Sequence, residues 1–277
     1  MPKVIWITGA SSGFGMAVAM KLLKETEHII CVSARRAHLL DILVRQGAHA
    51  FPVDVTKSDQ VAEVRSSIQD AFGTIDAVLV NAGFGVYGAI EEVPENAVRR
   101  QFEVNVFGAV ETIRNVLPAM RQQGAGRIVV TSSSAAHVSS AGMGYYAATK
   151  HSIRAIGTAL RQEVQGLGIE VVMVEPGIVK TAFGQVAMDE NYMAVEGSDY
   201  HGQMEQVKAF MLSAFDRAPG VERTRDIMVK ALTDQRVKPV YRTTSGSLAL
   251  NFASKVLPPV LYDSVVKQVI RRMRQHP

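Results

Sequence analysis

A single cysteine, Cys31, stands among 277 residues. No intrachain disulfide can form, a cysteine-based metal site is excluded, and a reducing, cytoplasmic compartment is the expectation. The 7 histidines are scattered singly, so no metal site is expected from them either. Long hydrophobic runs are also missing. Nowhere do about 18 apolar residues follow one another, which excludes a spanning helix. The opening Met1-Pro2-Lys3-Val4-Ile5-Trp6-Ile7 lacks the charged, apolar and cleavage regions of a secretory signal. Nor is there a block of one charge. With 30 Lys and Arg against 26 Asp and Glu the net charge is a mild +4, and no compact basic run offers itself to nucleic acid. What remains is globular, 47% hydrophobic and 20% charged. A chain of this length buries roughly three quarters of its unfolded surface with no staple.

The first 175 residues alternate short β-rich runs with segments of helical period. The runs are Val4–Ile7, Ile29–Ser33, Ala50–Val53, Ala77–Val80, Ile128–Thr131 and Val171–Val174; Gly15–Lys24, Leu39–Arg45, Gln60–Phe72, Ala97–Met120 and Tyr145–Leu167 read as helices. Continuously apolar strands with helical crossovers predict an α/β fold: a doubly wound parallel sheet covered on both faces, in the order 3-2-1-4-5-6 with a seventh strand near Lys238–Arg242. Ligands then bind at the carboxyl ends of the strands. Beyond Pro176-Gly177 the character changes, with Met188, Met193, Met204 and Met211 interleaved with Phe183, Tyr192, Tyr200, Phe210 and Phe215. Such side chains suit an adaptable apolar wall. One domain over 1–277 is expected, with a substrate-binding insertion at about 182–222 and a C-terminal extension at about 243–277.

Thr8-Gly9-Ala10-Ser11-Ser12-Gly13-Phe14-Gly15 follows the first strand and opens the first helix. Glycines let the backbone turn sharply and approach a pyrophosphate, and free N–H groups at the helix start favour its charge. The spacing is not that of a Walker loop, because no Gly-Lys-Ser/Thr follows. The second strand ends in Ser33-Ala34-Arg35-Arg36, with no acid to take a ribose 2′-hydroxyl. Arginine there accommodates a 2′-phosphate, so NADP is favoured over NAD, with the choice between Arg35 and Arg36 open.

Tyr146 and Lys150 are four residues apart and share a helix face. An ammonium at about 4 Å supplies enough field to draw a phenol down toward neutral pH. Such a phenol can pass a proton to or from a carbonyl or alcohol oxygen. Tyr-x-x-x-Lys is by itself a common surface pair, so partners must carry the case. Ser133, at the end of the fifth strand, can donate to a developing alkoxide. Asn105 falls mid-helix, where it either bends the helix through a backbone bond or holds a water that links Lys150 to solvent. Tyr145 is the tempting wrong choice, because the residue four further on is Thr149.

In these motifs, running from Thr8 to Thr181, the chain resembles the short-chain dehydrogenase/reductase superfamily in its one-domain, Rossmann-like branch. The resemblance maps the cofactor glycines onto Gly9, Gly13 and Gly15, with Ser11, Ser12 and Phe14 between them. It maps the adenine-binding acid onto Asp54, beside Val55, and the Asn-Ala-Gly signature onto Asn81, Ala82 and Gly83, where the usual preceding Asn is Val80. It implies Tyr146 as acid/base, Ser133 as the group orienting the substrate oxygen, Lys150 on the tyrosine and the nicotinamide ribose, and Asn105 in a water relay. Pro176, Gly177, Val179 and Thr181 then hold the carboxamide. The implied activity is NADP-dependent hydride transfer in a homodimer or homotetramer, with an NADP-binding sensor as the alternative.

Phe84, Val86, Tyr87, His137, Val138, Met143 and the segment after Thr181 should surround the reacting carbonyl, which points to a steroid-, retinoid- or lipid-like substrate. The tail from Gly168 onward is similar to the branch containing 17β-hydroxysteroid and retinol dehydrogenases. No acid stands at a spacing that would orient His137, so a pocket-lining or solvated histidine is expected there. Residues Leu248–Arg274 combine Leu250, Phe252, Val256, Leu257, Leu261, Val265, Val269 and Ile270 with Lys255, Lys267, Arg271, Arg272 and Arg274. Packing over the cleft or a second subunit is favoured for this segment over peripheral contact with a membrane.

Overall fold

The computed structural model describes residues 2–244, 256–258, 260–264 and 268. The apolar runs are strands: β1 Val4–Thr8, β2 Ile29–Ser33, β3 His49–Ala50, β4 Ala77–Val80, β5 Gly126–Thr131, β6 Ile169–Glu175 and β7 Val240–Arg242. All pair in parallel, in the order β3-β2-β1-β4-β5-β6-β7. Strand alternation divides each run between two helical layers. In β1, Val4 and Trp6 join one core while Ile5 and Ile7 join the other. On the first face lie α3 (Ser58–Phe72), α5 (Ala109–Gln123) and α6 (Gly144–Glu163), through Ile68, Ile113 and Ile153. On the second lie α1 (Gly13–Glu25), α2 (Asp41–Val44) and α9 (Glu222–Thr233), through Leu22, Leu43 and Met228.

Three segments differ from expectation. The third strand is shorter than Ala50–Val53. Phe51 N–H still donates to Val32 O at 2.9 Å and Val53 N–H to Ala34 O at 3.1 Å, but Pro52 between them has no N–H to continue a regular ladder. The helix of Tyr145–Leu167 stops at Glu163. The single helix of Ala97–Met120 is three pieces: α4 (Glu95–Phe102), a π-helical turn over Glu103–Gly108, and α5. A π turn inserts an extra residue into the helical ladder and re-aims the side chains around it, a device found mostly where function needs it.

The segment after β6 builds a roof. Helices α7 (Ala182–Asp189) and α8 (His201–Asp216) bury Ala187, Met188, Met204, Val207 and Met211 against Tyr87, Ala135 and Tyr146, with Phe183, Tyr192 and Phe215 packed around them. Tyr87 and Tyr192 form a parallel bridge. Most of the expected C-terminal extension lies outside the described residues. Within them, Tyr262 Oη donates to Ser139 O at 3.4 Å. No helix among the described residues is long and apolar enough to cross a membrane.

Candidate active site

The carboxyl ends of β1, β2, β4, β5 and β6 open on one cleft of about 530 Å³. Thr8 and Asn81 lock its floor. Thr8 Oγ1 donates to Leu79 O at 3.2 Å and accepts from Asn81 N–H at 3.0 Å, and Asn81 Nδ2 donates to both Thr8 O and Gly9 O at 3.2 Å. Asn81 Oδ1 accepts from Thr131 Oγ1 at 3.3 Å, so three strand ends share one amide. Val80, in place of the usual Asn, is simply core.

The glycine turn fits a dinucleotide. Gly9 and Gly13 take φ of +67° and +57°, and a Cβ on Gly13 would stand in open space, leaving its backbone approachable. Helix α1 has no acid in its first turn and no side-chain cap at Ser12, so its leading N–H groups are free for an anion. Ser11, Ser12, Gly13 and Phe14 line the cleft; Gly15 does not. It packs under the turn, where a Cβ would come within 2.5 Å of Gly9 O. Arg35 and Arg36 line the cleft at the end of β2, both exposed and neither in an ion pair among the described residues. Asp54, Val55, Ala82 and Gly83 also line the cleft, as do Pro176, Gly177, Val179 and Thr181.

Arg100, from α4, was not anticipated. Its guanidinium donates to Asp54 at 2.9 Å. Burial raises the Asp54 carboxyl, but Arg100 and Thr56 outweigh it and hold the group below the usual carboxylate range.

Tyr146 sits in the first turn of α6, with its ring 5.4 Å from Tyr87 and 5.8 Å from Phe183 between ring centroids. Ser133 stands beside the phenol, and its own Oγ accepts from Ala135 N–H at 3.1 Å, capping the turn that follows β5. Lys150 lies one helical turn on, Nζ 5.8 Å from the Tyr146 ring centroid and donating to Thr131 O at 3.1 Å. Burial pushes Tyr146 up to about 12, against the pull of Ser133, and pushes Lys150 down to about 8. The expected lowering of the phenol is thus not what the protein groups produce. The ammonium is turned toward Thr131, and removal of both groups from water dominates each of them.

Asn105 does not line the cleft. Its Oδ1 accepts from Phe84 N–H at 3.0 Å, and its Nδ2 donates to Phe84 O at 2.8 Å and to Thr149 Oγ1 at 3.2 Å. None of these three bonds closes on its own helix. It staples the π turn, the loop after β4 and α6 together. Tyr145 faces elsewhere, donating to Ile90 O at 3.0 Å.

His137 requires a correction. Val86, His137 and Val138 are not in the cleft wall, whereas Phe84, Tyr87 and Met143 are. An acid does orient His137: Glu175 Oε2 lies 2.8 Å from Nε2. Glu175 is 1% exposed and also meets Arg154 Nε at 3.3 Å and Arg242 Nε at 3.2 Å. Burial, ahead of this pairing, keeps the imidazole pKa low. One carboxylate thereby joins the segment after Ser133, helix α6 and β7. Removing it takes away the carboxylate that the His137 ring and two half-exposed arginines share, so Glu175→Leu is expected to destabilise the fold by about 1–2 kcal/mol, the worth of the lost hydrogen bonds. Urea unfolding reads this; an unchanged midpoint would mean that the arginines simply turn to solvent.

The short chain dehydrogenase family model matches residues 3–191. A 3-ketodihydrosphingosine reductase of Bacteroides thetaiotaomicron is 36% identical over 182 residues, covering 66% of this chain and 66% of that protein. Among solved structures, a short-chain dehydrogenase from Streptomyces avermitilis superposes with a TM-score of 0.80 at 29% identity, covering 99% of both chains. A short chain dehydrogenase/reductase from Burkholderia phymatum in complex with NAD gives 0.78 at 26% identity, covering 91% of this chain and 92% of that one. From its first strand to the beginning of the roof, this chain therefore belongs to the short-chain dehydrogenase/reductase superfamily, and it is an NAD(P)-dependent oxidoreductase.

Proposed function

We propose that the chain moves a hydride between NADP(H) and a carbonyl or secondary alcohol on an apolar, steroid-, retinoid- or lipid-like substrate. One observation carries the reading: a phenol buried between two aromatic rings, with a hydroxyl beside it and an ammonium one turn below, in the same cleft as the glycine turn. The bound nicotinamide supplies or takes the hydride. Tyr146 supplies or takes the proton at the substrate oxygen. Ser133 hydrogen-bonds that oxygen and favours charge developing there. Lys150 places a positive charge one helical turn from the phenol and would hold the nicotinamide ribose when the cofactor is bound, and Asn105 keeps α6 in register with the loop after β4.

Support for NADP is the pair of unpaired guanidiniums at the end of β2. In Arg35→Ala/Arg36→Ala, NADPH affinity is expected to fall about 10- to 100-fold, from the loss of charge-assisted hydrogen bonds, with NADH far less affected. Fluorescence titration with both nucleotides reads this; equal losses would assign the arginines to the shared part of the cofactor.

Support for an apolar substrate is the roof of Phe183, Met211 and Phe215 facing Tyr146. The name of the Bacteroides reductase points the same way. Homodimer or homotetramer formation rests on the family likeness, and Phe107, 57% exposed, is an apolar side chain that it would cover. The test is NADPH consumption across ketosteroids, retinal, fatty aldehydes and quinones, repeated with NADH. Preference for sugars or small hydroxy acids overturns the substrate reading.

A further inference from the structure

Two phenols, not one, stand at the reacting end of the cleft. Tyr87 lines it with a ring 2% exposed, tilted 37° against that of Tyr146. Its position is built from three directions. Its N–H donates to Asn191 O at 3.0 Å, and its carbonyl accepts from Met193 N–H at 2.8 Å, so the roof segment grips its backbone on both sides. Gly85 makes room for the ring: a Cβ there would fall 2.5 Å from Tyr87 Cε2 and 2.8 Å from Oη.

The hydroxyl held in this place has no hydrogen-bond partner among the described residues. It is not one of the side-chain atoms sealed from solvent without a partner, so it opens on the cleft, where a ligand oxygen can take the place of water. Burial and the neighbouring Tyr146 push the Tyr87 phenol well above its ordinary range, so it is a donor at every working pH. A donor fixed by backbone pairing, left without a partner and facing a ligand cleft is a recognition group awaiting its acceptor.

Resting on the substrate reading above, we infer that Tyr87 is a specificity-determining residue: it donates to a second oxygen of the substrate, one or two carbons from the carbonyl served by Tyr146. The preferred substrate is then an apolar chain or ring bearing a β-keto ester, β-keto thioester or α-hydroxy ketone, and not an isolated ketone. The apolar remainder lies under Phe183 and Met211. The contact binds substrate and adds no chemical step.

The test compares an apolar β-keto ester with the mono-ketone of the same skeleton, both reduced with NADPH by wild-type enzyme and by Tyr87→Phe, which keeps the ring and loses only the hydroxyl. The wild type is expected to favour the β-keto ester. Tyr87→Phe is expected to lose about tenfold more kcat/KM on the β-keto ester than on the mono-ketone, mostly through KM. Thermal shift with each ketone beside saturating NADP+ gives the same contrast without turnover. Equal losses on both ketones, or none on either, overturn the assignment while leaving the hydride-transfer reading intact. A wild type inactive on both overturns the substrate reading and this inference with it. A variant that no longer unfolds cooperatively would give Tyr87 a packing role and also overturn it.

Discussion

Tyr146→Phe is expected to slow turnover about 1,000-fold while NADPH still binds. The substitution keeps the ring that packs between Tyr87 and Phe183, so the roof and α6 have no reason to move. What it removes is the one hydroxyl that Ser133 acts on from the side of the cleft. Because burial pushes that phenol up to about 12, it stays protonated throughout the neutral range and is poised to give its proton to a carbonyl. Reduction should therefore run at a rate insensitive to pH between about 6 and 8, whereas oxidation, which needs the phenolate, should climb with pH. Single-turnover rates for wild type and variant, alongside nucleotide fluorescence, separate chemistry from cofactor binding. A variant with undiminished turnover removes Tyr146 from the reaction; one that loses nucleotide binding makes it part of the cofactor wall.

The parts of this molecule legible in the sequence are those set by local pattern. Val4–Ile7 and Val171–Val174 read as buried strands because every side chain is apolar, whichever face it takes. The glycine turn is legible because backbone geometry imposes its residue types at fixed spacing. What stayed hidden depends on distant partners. The π turn at Glu103–Gly108 stayed hidden because an inserted residue turns the apolar face by about 100°, a shift that the few apolar positions on either side of it do not fix. The carboxylate that orients His137 is 38 residues away, and Arg100 reaches Asp54 across 46 residues, so neither pair shows as a motif. The Tyr146–Lys150 pair was found from spacing, yet spacing says nothing of desolvation, which moves both groups opposite to the simple two-charge picture.

That opposition has its largest consequence at Lys150. Lys150→Met is expected to lower turnover at least 100-fold and at the same time to make the protein more stable. Lys150 is 7% exposed and, among the described residues, its ammonium hydrogen-bonds only Thr131 O, so it is held out of water with little in return, and burial takes it from 10.5 to about 8. Below about pH 8 the group is charged in both folded and unfolded chains, and the full penalty of burying that charge is felt. Between about pH 8 and 10.5 the unfolded chain holds the proton more firmly, so wild-type stability rises with pH across that window. A methionine of similar length has no such penalty, and the variant should gain on the order of 2–3 kcal/mol at pH 7, an advantage that fades by about pH 10.5. In a chain of this size that is a rise of several degrees in Tm. On the proposed mechanism the same group also limits reduction at alkaline pH: the positive charge near the phenol is lost above about pH 8, and wild-type reduction should decline there while thermal stability improves. Differential scanning calorimetry and initial rates, taken at matched pH from 6 to 10, place the two curves on one axis. A Lys150→Met protein less stable than wild type at pH 7 would show that the bond to Thr131 outweighs the buried charge. The site would then be held together by its lysine, and would not be paid for in fold stability to keep a cation where the hydride is exchanged.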